Sequence, residues 1–316
     1  MNEISFYENL DAVFTGTHDI AAKDDNKCYK GCIPSSTINQ RNLRNILANI
    51  GTYGKFDLVF LTGNSYDWVR GRILENFALC DIPNVNIVVI PENGLIAQSM
   101  EDGIYWIERP SKDYENAIEN IEKYAHDKFA GWFWLQGNMR RLTFKPVKGC
   151  EFFDEEFVPE IVKIAKKYDI VPFDIEKGFG DEVGVIYHYL GSSVNIDPRK
   201  VRIIKRKGSE ESEEFDLDFR GKETAVKLIS EIKNYGPVAC IAGSSNDYPM
   251  VKAVCERDGM VYLPKNHGFS DNEIKKLRCE VESFGKRPDI QTVETESILS
   301  TVLGAYLNNQ RKVVSR

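Results

Sequence analysis

The apolar positions of this chain fall into short continuous runs separated by longer amphipathic stretches. Residues 10–14 form a mostly apolar run that ends in Thr15-Gly-Thr-His-Asp19. Residues 56–61 form a second, ending in Thr62-Gly-Asn-Ser, and residues 85–90 a third, ending in Pro91-Glu-Asn-Gly94. Runs of this length, followed at once by small or polar residues, predict strands covered on both faces that feed loops at their carboxyl ends. Between the first two, Leu43, Ile46, Leu47 and Ile50 recur at the spacing of one helical face, and Thr37 with Gln40 fits a capping box at its start. Residues 67–77 read as a helix between the second and third. Strand and helix in alternation predict an α/β fold with a doubly wound parallel sheet. The pattern returns after Gly221. Lys222 opens a helix through Ile232, and the apolar run from Val238 ends in Gly243-Ser-Ser-Asn-Asp247. Pro249 then precedes a helical stretch over 251–257, with a short strand over 260–263 and a helix over 294–307 before a basic tail.

The middle of the chain has a different pattern. Residues 103–108 alternate as a strand with one solvated face would. Residues 114–126 and 155–168 are amphipathic helices, the second with Val158, Ile161, Ile164 and Ala165 inside. Residues 131–147 read as two antiparallel strands around Gly137-Asn138, and 183–190 and 201–205 as further strands. Helices over an antiparallel sheet predict a second, α+β unit. The expected division is a core of 1–97 and 216–316 with an inserted domain over 98–215. The charged run 205–214 reads as a solvated loop.

Charge and cysteine usage narrow the partners. A formal net charge of -7 over 316 residues argues against a nucleic-acid partner. No apolar stretch approaches the roughly 20 residues of a membrane helix, so no membrane partner is expected. The amino terminus lacks a cationic segment followed by an apolar run, which predicts no secretory signal. The seven Cys are scattered, and Cys28 and Cys32 have no second pair to complete a zinc site. Free thiols in a reducing cytoplasm are the expectation.

Four words stand in a set order: the loop after the first run, Thr62-Gly63 after the second, Lys222 within Gly-Lys-Glu-Thr-Ala, and Gly243-Ser-Ser-Asn-Asp247 with Pro249-Met250. With Glu92-Asn-Gly94 after the third run, and a large insert between the second and third words, this order resembles the haloacid dehalogenase (HAD) superfamily. It looks most like the sugar-phosphatase branch with a large C2-type cap, which includes the Cof-type, sucrose-phosphate and mannosyl-phosphoglycerate phosphatases. The resemblance implies a Rossmannoid core with an inserted α+β cap. It also implies a chemistry in which one Asp attacks phosphorus, and a second, two residues on, serves as acid and base. Magnesium bridges the nucleophile, the phosphate and an acid of the fourth word. A Thr hydroxyl and a Lys ammonium hold the phosphoryl oxygens.

This sequence departs from that pattern where the family carries Asp-x-Asp-Gly-Thr. If the first strand ends at Phe14, the paired acid positions fall on Thr15 and Thr17; if Gly16-Thr17 is matched to the family's Gly-Thr, they fall on Val13 and Thr15. Neither register supplies an Asp. Ser244 replaces the first acid of the fourth word, leaving Asp247 as the candidate metal ligand. Asp19 is the nearby acid that would serve in their place, and it also reads as a plain loop or cap residue beside His18. The candidate reaction loop is therefore Thr15, Thr17 and Asp19. The candidate phosphate-holding set is Thr62, Gly63, Lys222 and Ser244, helped by loop amides such as that of Gly243.

In the insert, Arg141 and Lys145 share a strand face by alternation and would suit a second anionic or hydroxyl group. The competing reading is a solvated sheet face, and Trp132 and Trp134 read as packing residues. Loss of acids with retention of Lys222 predicts a pocket made more positive. The expected function is binding of a small phosphorylated metabolite, sugar-like, with weak or absent hydrolysis and no cofactor. The alternatives are an active phosphatase that uses Mg2+ and Asp19, and a non-catalytic protein-interaction subunit.

Overall fold

The computed structural model describes residues 10–16, 37–63, 65–69, 81–99, 103–110, 112–135, 142–147, 159–160, 163–164, 167–168, 172–174, 185–189, 194–197, 200–205, 213–218, 221–243, 247–264, 269–286, 289–293 and 298–314. The chain divides into two compact units: Met1–Gly63 with Asp67–Gly103 and Lys222–Arg316, and Asn64–Tyr66 with Ile104–Gly221.

The first unit begins with β1 (Leu10–Gly16), α1 (Thr37–Ile50), β2 (Phe56–Leu61), the short α2 (Tyr66–Val69) and β3 (Val85–Ile90). A single 3-10 turn, Glu92–Gly94, then leads into β4 (Ile96–Ser99). The second unit follows with β5 (Gly103–Pro110), α3 (Lys112–Phe129), β6 (Phe133–Leu135), β7 (Leu142–Pro146) and β8 (Pro172–Asp174). It ends with β9 (Val185–Tyr189), β10 (Val194–Asp197), β11 (Lys200–Lys205) and β12 (Glu213–Asp218). The chain returns to the first unit through α4 (Lys222–Lys233), β13 (Tyr235–Ile241), α5 (Tyr248–Cys255) and β14 (Met260–Pro264). The last elements are α6 (Asp271–Ser283), β15 (Asp289–Val293) and α7 (Ile298–Val314).

In the first unit the strands lie in the order β4-β3-β2-β1-β13-β14-β15. All neighbours are parallel except β3 and β4. Every residue of β2 and β3 is buried, as in a sheet covered on both faces. On one face Val13, Leu58, Phe60, Ile87 and Ile241 join Leu43 and Leu47 of α1 and Leu299 and Leu303 of α7 in one cluster. Each such side chain contributes about 1.5–3 kcal/mol when fully buried. Residues of the opposite parity, among them Phe14, Val59, Val88 and Cys240, are buried as well. On β13 and β14 packs α5, itself packed on α4. The doubly wound α/β expectation therefore holds.

In the second unit β5, β11 and β12 are antiparallel neighbours in the order β12-β11-β5, and a separate sheet runs β6-β7-β10-β9-β8. Tyr114, Ala117, Ile121, Ala125 and Phe129 of α3 pack with Phe133 and Phe144 of that sheet. No helix among the described residues is long and apolar enough to cross a membrane.

Several boundaries differ from the sequence reading. The first strand runs on through Thr15 and Gly16, since both still pair with β2. The charged run read as a loop enters a strand at Glu213, because β11 and β12 put opposite charges at paired positions: Lys200 with Asp218, Arg202 with Asp216, Lys205 with Glu213. The helix placed over 251–257 starts at Tyr248, and α7 continues to Val314, so the basic tail is helical. Helix α6 carries little apolar periodicity, since only Leu277 and Val281 are buried on it, although Ser270 and Glu273 form a full capping box. Thr37 is itself the first residue of α1.

Candidate functional site

The site is set by where the central strands end. Thr15 pairs with Phe60 of β2 and with Ile241 of β13, and Gly16 pairs with Leu61. Leu61 in turn pairs with Ile90, the last residue of β3. The segments after β1, β2, β3 and β13 therefore leave from one edge of the sheet. From β1 the chain progresses to β2 and β3 on one side and returns to β13 on the other. That reversal is the place where open α/β sheets bind ligands. Thr15 is 0% exposed and Thr62 2%.

Thr62 is held by backbone bonds on both sides. Its N–H donates to the Ile90 carbonyl at 3.0 Å, and its carbonyl accepts from Asn93 N–H at 2.8 Å. Asn93 belongs to the buried turn after β3, in which Glu92, Asn93 and Gly94 all have positive φ, at 52°, 59° and 110°. This turn packs against α4. Gly221 at φ 62° makes the bend that starts α4, and Lys222 is its first residue. The Lys222 ammonium, 6% exposed, donates to Asp247 Oδ1 at 2.5 Å. Asp247, 0% exposed, accepts from Gly243 N–H at 2.9 Å through Oδ2. Asp247 precedes α5 but makes no side-chain cap bond to that helix. Its two oxygens face backward, one to the ammonium and one to the amide.

This arrangement corrects one expectation. Retaining Lys222 does not leave a surplus positive charge, because Asp247 matches it within hydrogen-bond distance. The same contact bears on magnesium. That ion needs near-octahedral oxygen coordination with one or two carboxylates, and Asp247 has both oxygens engaged by nitrogen donors. Among the described residues no group of three or more His, Cys, Asp or Glu is arranged to hold a metal.

The other sequence candidates are distributed as follows. Thr15, Thr62, Lys222 and Asp247 lie on the carboxyl edge with Gly63, which directly follows Thr62. Thr17, Asp19, Ser244 and Arg141 lie outside the described residues. Lys145 is on β7 of the second unit, paired with Trp134 of β6. Glu92 and Asn93, part of the word that carries the resemblance, form a strained turn beside Thr62, and the Asn-Gly word after a strand is a turn signal. Under the loop, burial pushes the Cys240 thiol well above its ordinary range, with Cys255 and Asp247 adding to the effect.

No protein-family model matches the chain, and no curated protein matches it in sequence. Solved structures do. The C-terminal domain of C. albicans trehalose-6-phosphate phosphatase is 12% identical over 95% of this chain and 92% of that one, with a TM-score of 0.52. A trehalose-6-phosphate phosphatase related protein is 10% identical over 96% of this chain and 99% of that one, with a TM-score of 0.48. An N-terminally truncated, IMP-bound Plasmodium falciparum IMP-nucleotidase is 12% identical over 89% and 69%, with a TM-score of 0.43. At these identities the likeness is one of architecture. From the strand order, the buried central strands and the likeness to the C. albicans domain, the chain has a doubly wound α/β fold of the kind seen in that domain.

Proposed function

We propose that the carboxyl edge of the first unit binds a small phosphate monoester and hydrolyses it weakly or not at all. The observation that carries this reading is the convergence of the Lys222 ammonium and the Gly243 amide on a single anionic group. Donors placed that way suit phosphoryl oxygens as well as a carboxylate. Thr62, at the end of β2, would add a hydroxyl. The reading of low hydrolysis rests on Thr15. Thr15 lies one residue before the end of the central strand, at a position where the resemblance expects an acid in either register, and a Thr hydroxyl is a weak nucleophile at its ordinary pKa. The likeness to a trehalose-6-phosphate phosphatase domain makes sugar phosphates the first class to try.

Calorimetry with inorganic phosphate and sugar phosphates, with and without magnesium, tests the proposal. Binding is expected without metal, and Lys222→Met is expected to weaken it at least about tenfold, or about 1.4 kcal/mol. The absence of heat from any phosphate ester would leave the fold as a protein-binding scaffold. Magnesium-dependent release of phosphate that disappears in Asp19→Asn would establish the catalytic alternative instead.

A further inference from the structure

We infer that Asp247 is a built-in competitor for the ligand: its carboxylate occupies the donors that take the phosphoryl group, and binding requires it to give way. This rests on the binding reading above and adds a mechanism of access to the same site. Both donor groups proposed for the phosphate engage one side chain: the single Gly243 N–H at Oδ2, and the Lys222 ammonium through one of its three N–H bonds at Oδ1. Asp247 and Lys222 are both buried, so water cannot readily stand in for either partner. A buried ammonium without a counter-charge is strongly unfavourable, so some anion must sit beside Lys222 in every populated state. In the ligand-free protein that anion is Asp247. Asp247 makes no side-chain cap bond to α5, so turning the carboxylate away breaks no bond to that helix's backbone amides.

The consequence is selectivity by charge. A monoanion would exchange one carboxylate for an equivalent group and gain little. A phosphate monoester dianion brings more charge and more acceptor oxygens to the same donors, so it displaces Asp247 where acetate does not. The site is thereby closed to common monoanions without a separate lid.

The test uses the full chain, with inorganic phosphate as the probe. Asp247→Asn removes the competing charge and keeps the shape. It is expected to bind phosphate at least about tenfold more tightly than the unaltered protein, and to bind acetate measurably. Equal or weaker phosphate binding by a folded Asp247→Asn protein would sink the inference while leaving the binding reading intact. Should that variant not fold, the Gly243 amide resonance of the unaltered protein decides. It is expected to shift on saturation with phosphate as its Asp247 partner leaves, and a resonance that stays put at saturation overturns the inference. No binding of phosphate by either protein overturns the inference and the binding reading together.

Discussion

Glu92 and Asn93 stand side by side in the left-handed region, at φ 52° and 59°, and both are buried. Residues other than glycine pay about 1–3 kcal/mol for such a conformation and keep it only where the surroundings over-determine it. Here the determinants are visible. Asn93 N–H is tied to the Thr62 carbonyl, and Gly94 N–H to the Pro91 carbonyl at 3.0 Å. The strained turn therefore joins the end of β2, from which Thr62 comes, to α4, the helix that Lys222 opens. Asn tolerates this region better than β-branched residues do. Asn93→Val is expected to destabilise the protein by about 1–3 kcal/mol more than Asn93→Gly, as read by urea denaturation. Equal losses would mean that the amide side chain, and not the backbone, is what the position requires.

At the scale of elements, the opposite edge of the same sheet carries a second polar cluster. Asp57 on β2 accepts from Tyr235 Oη at 2.7 Å and from Asn86 Nδ2 at 3.3 Å, with Lys233 Nζ at 3.6 Å. Ser99 Oγ of β4 donates to Asn86 Oδ1 at 2.8 Å. Tyr235 and Lys233 come from the far side of β1. The position beside Asp57 in register on β1 is Ala12, whose short side chain leaves the way across open. One carboxylate thus ties β2 and β3 to the α4–β13 connection at the amino edge, while Lys222 and Asp247 join α4 to the β13 loop at the carboxyl edge. Asp57→Ala removes the carboxylate shared by the half-buried Lys233 ammonium and the Tyr235 hydroxyl. A loss of about 1–3 kcal/mol is expected in chemical denaturation, with phosphate affinity of the folded fraction unchanged. A loss under about 1 kcal/mol would show that water replaces the carboxylate there.

At the scale of the whole molecule, the first unit buries acidic groups that stay neutral when protonated. Burial pushes the Cys255 thiol up to about 12, and it raises Cys240, Tyr248 and Tyr262. Glu280, which accepts from Tyr248 Oη at 3.1 Å, adds to the shift of that phenol. The sign of the pH effect follows from linkage. In the unfolded chain these groups ionise near their ordinary values of 9.0 and 10.0, whereas in the folded chain they hold their protons longer. Their stabilising contribution is complete below about pH 9 and is lost progressively as pH rises towards 12. The urea midpoint is expected to hold steady between pH 7 and 8.5 and then fall. A midpoint that is level to pH 11 would mean that these groups become hydrated in the native state.

The architecture of the first unit was legible because its strands are covered on both sides. Double burial forces continuous apolar runs, and β2 and β3 begin and end where those runs do. Elements that bury little were not legible: α6 inserts only Leu277 and Val281, and β15 is a partly exposed edge. Strand β12 was hidden by its own acids, which make sense only opposite the basic positions of β11. That Thr62, Lys222 and Asp247 stand at the ends or starts of elements could be read from local words, since each lies beside a run that a short stretch specifies. Their mutual relation could not. Lys222 and Asp247 are brought within 2.5 Å only by the packing of α4, β13 and α5, and that contact turns an apparent surplus cation into a matched pair. Local composition sets which groups are present; which charge neutralises which is settled by long-range packing, because electrostatic pairing depends on distance in space and not on separation along the chain.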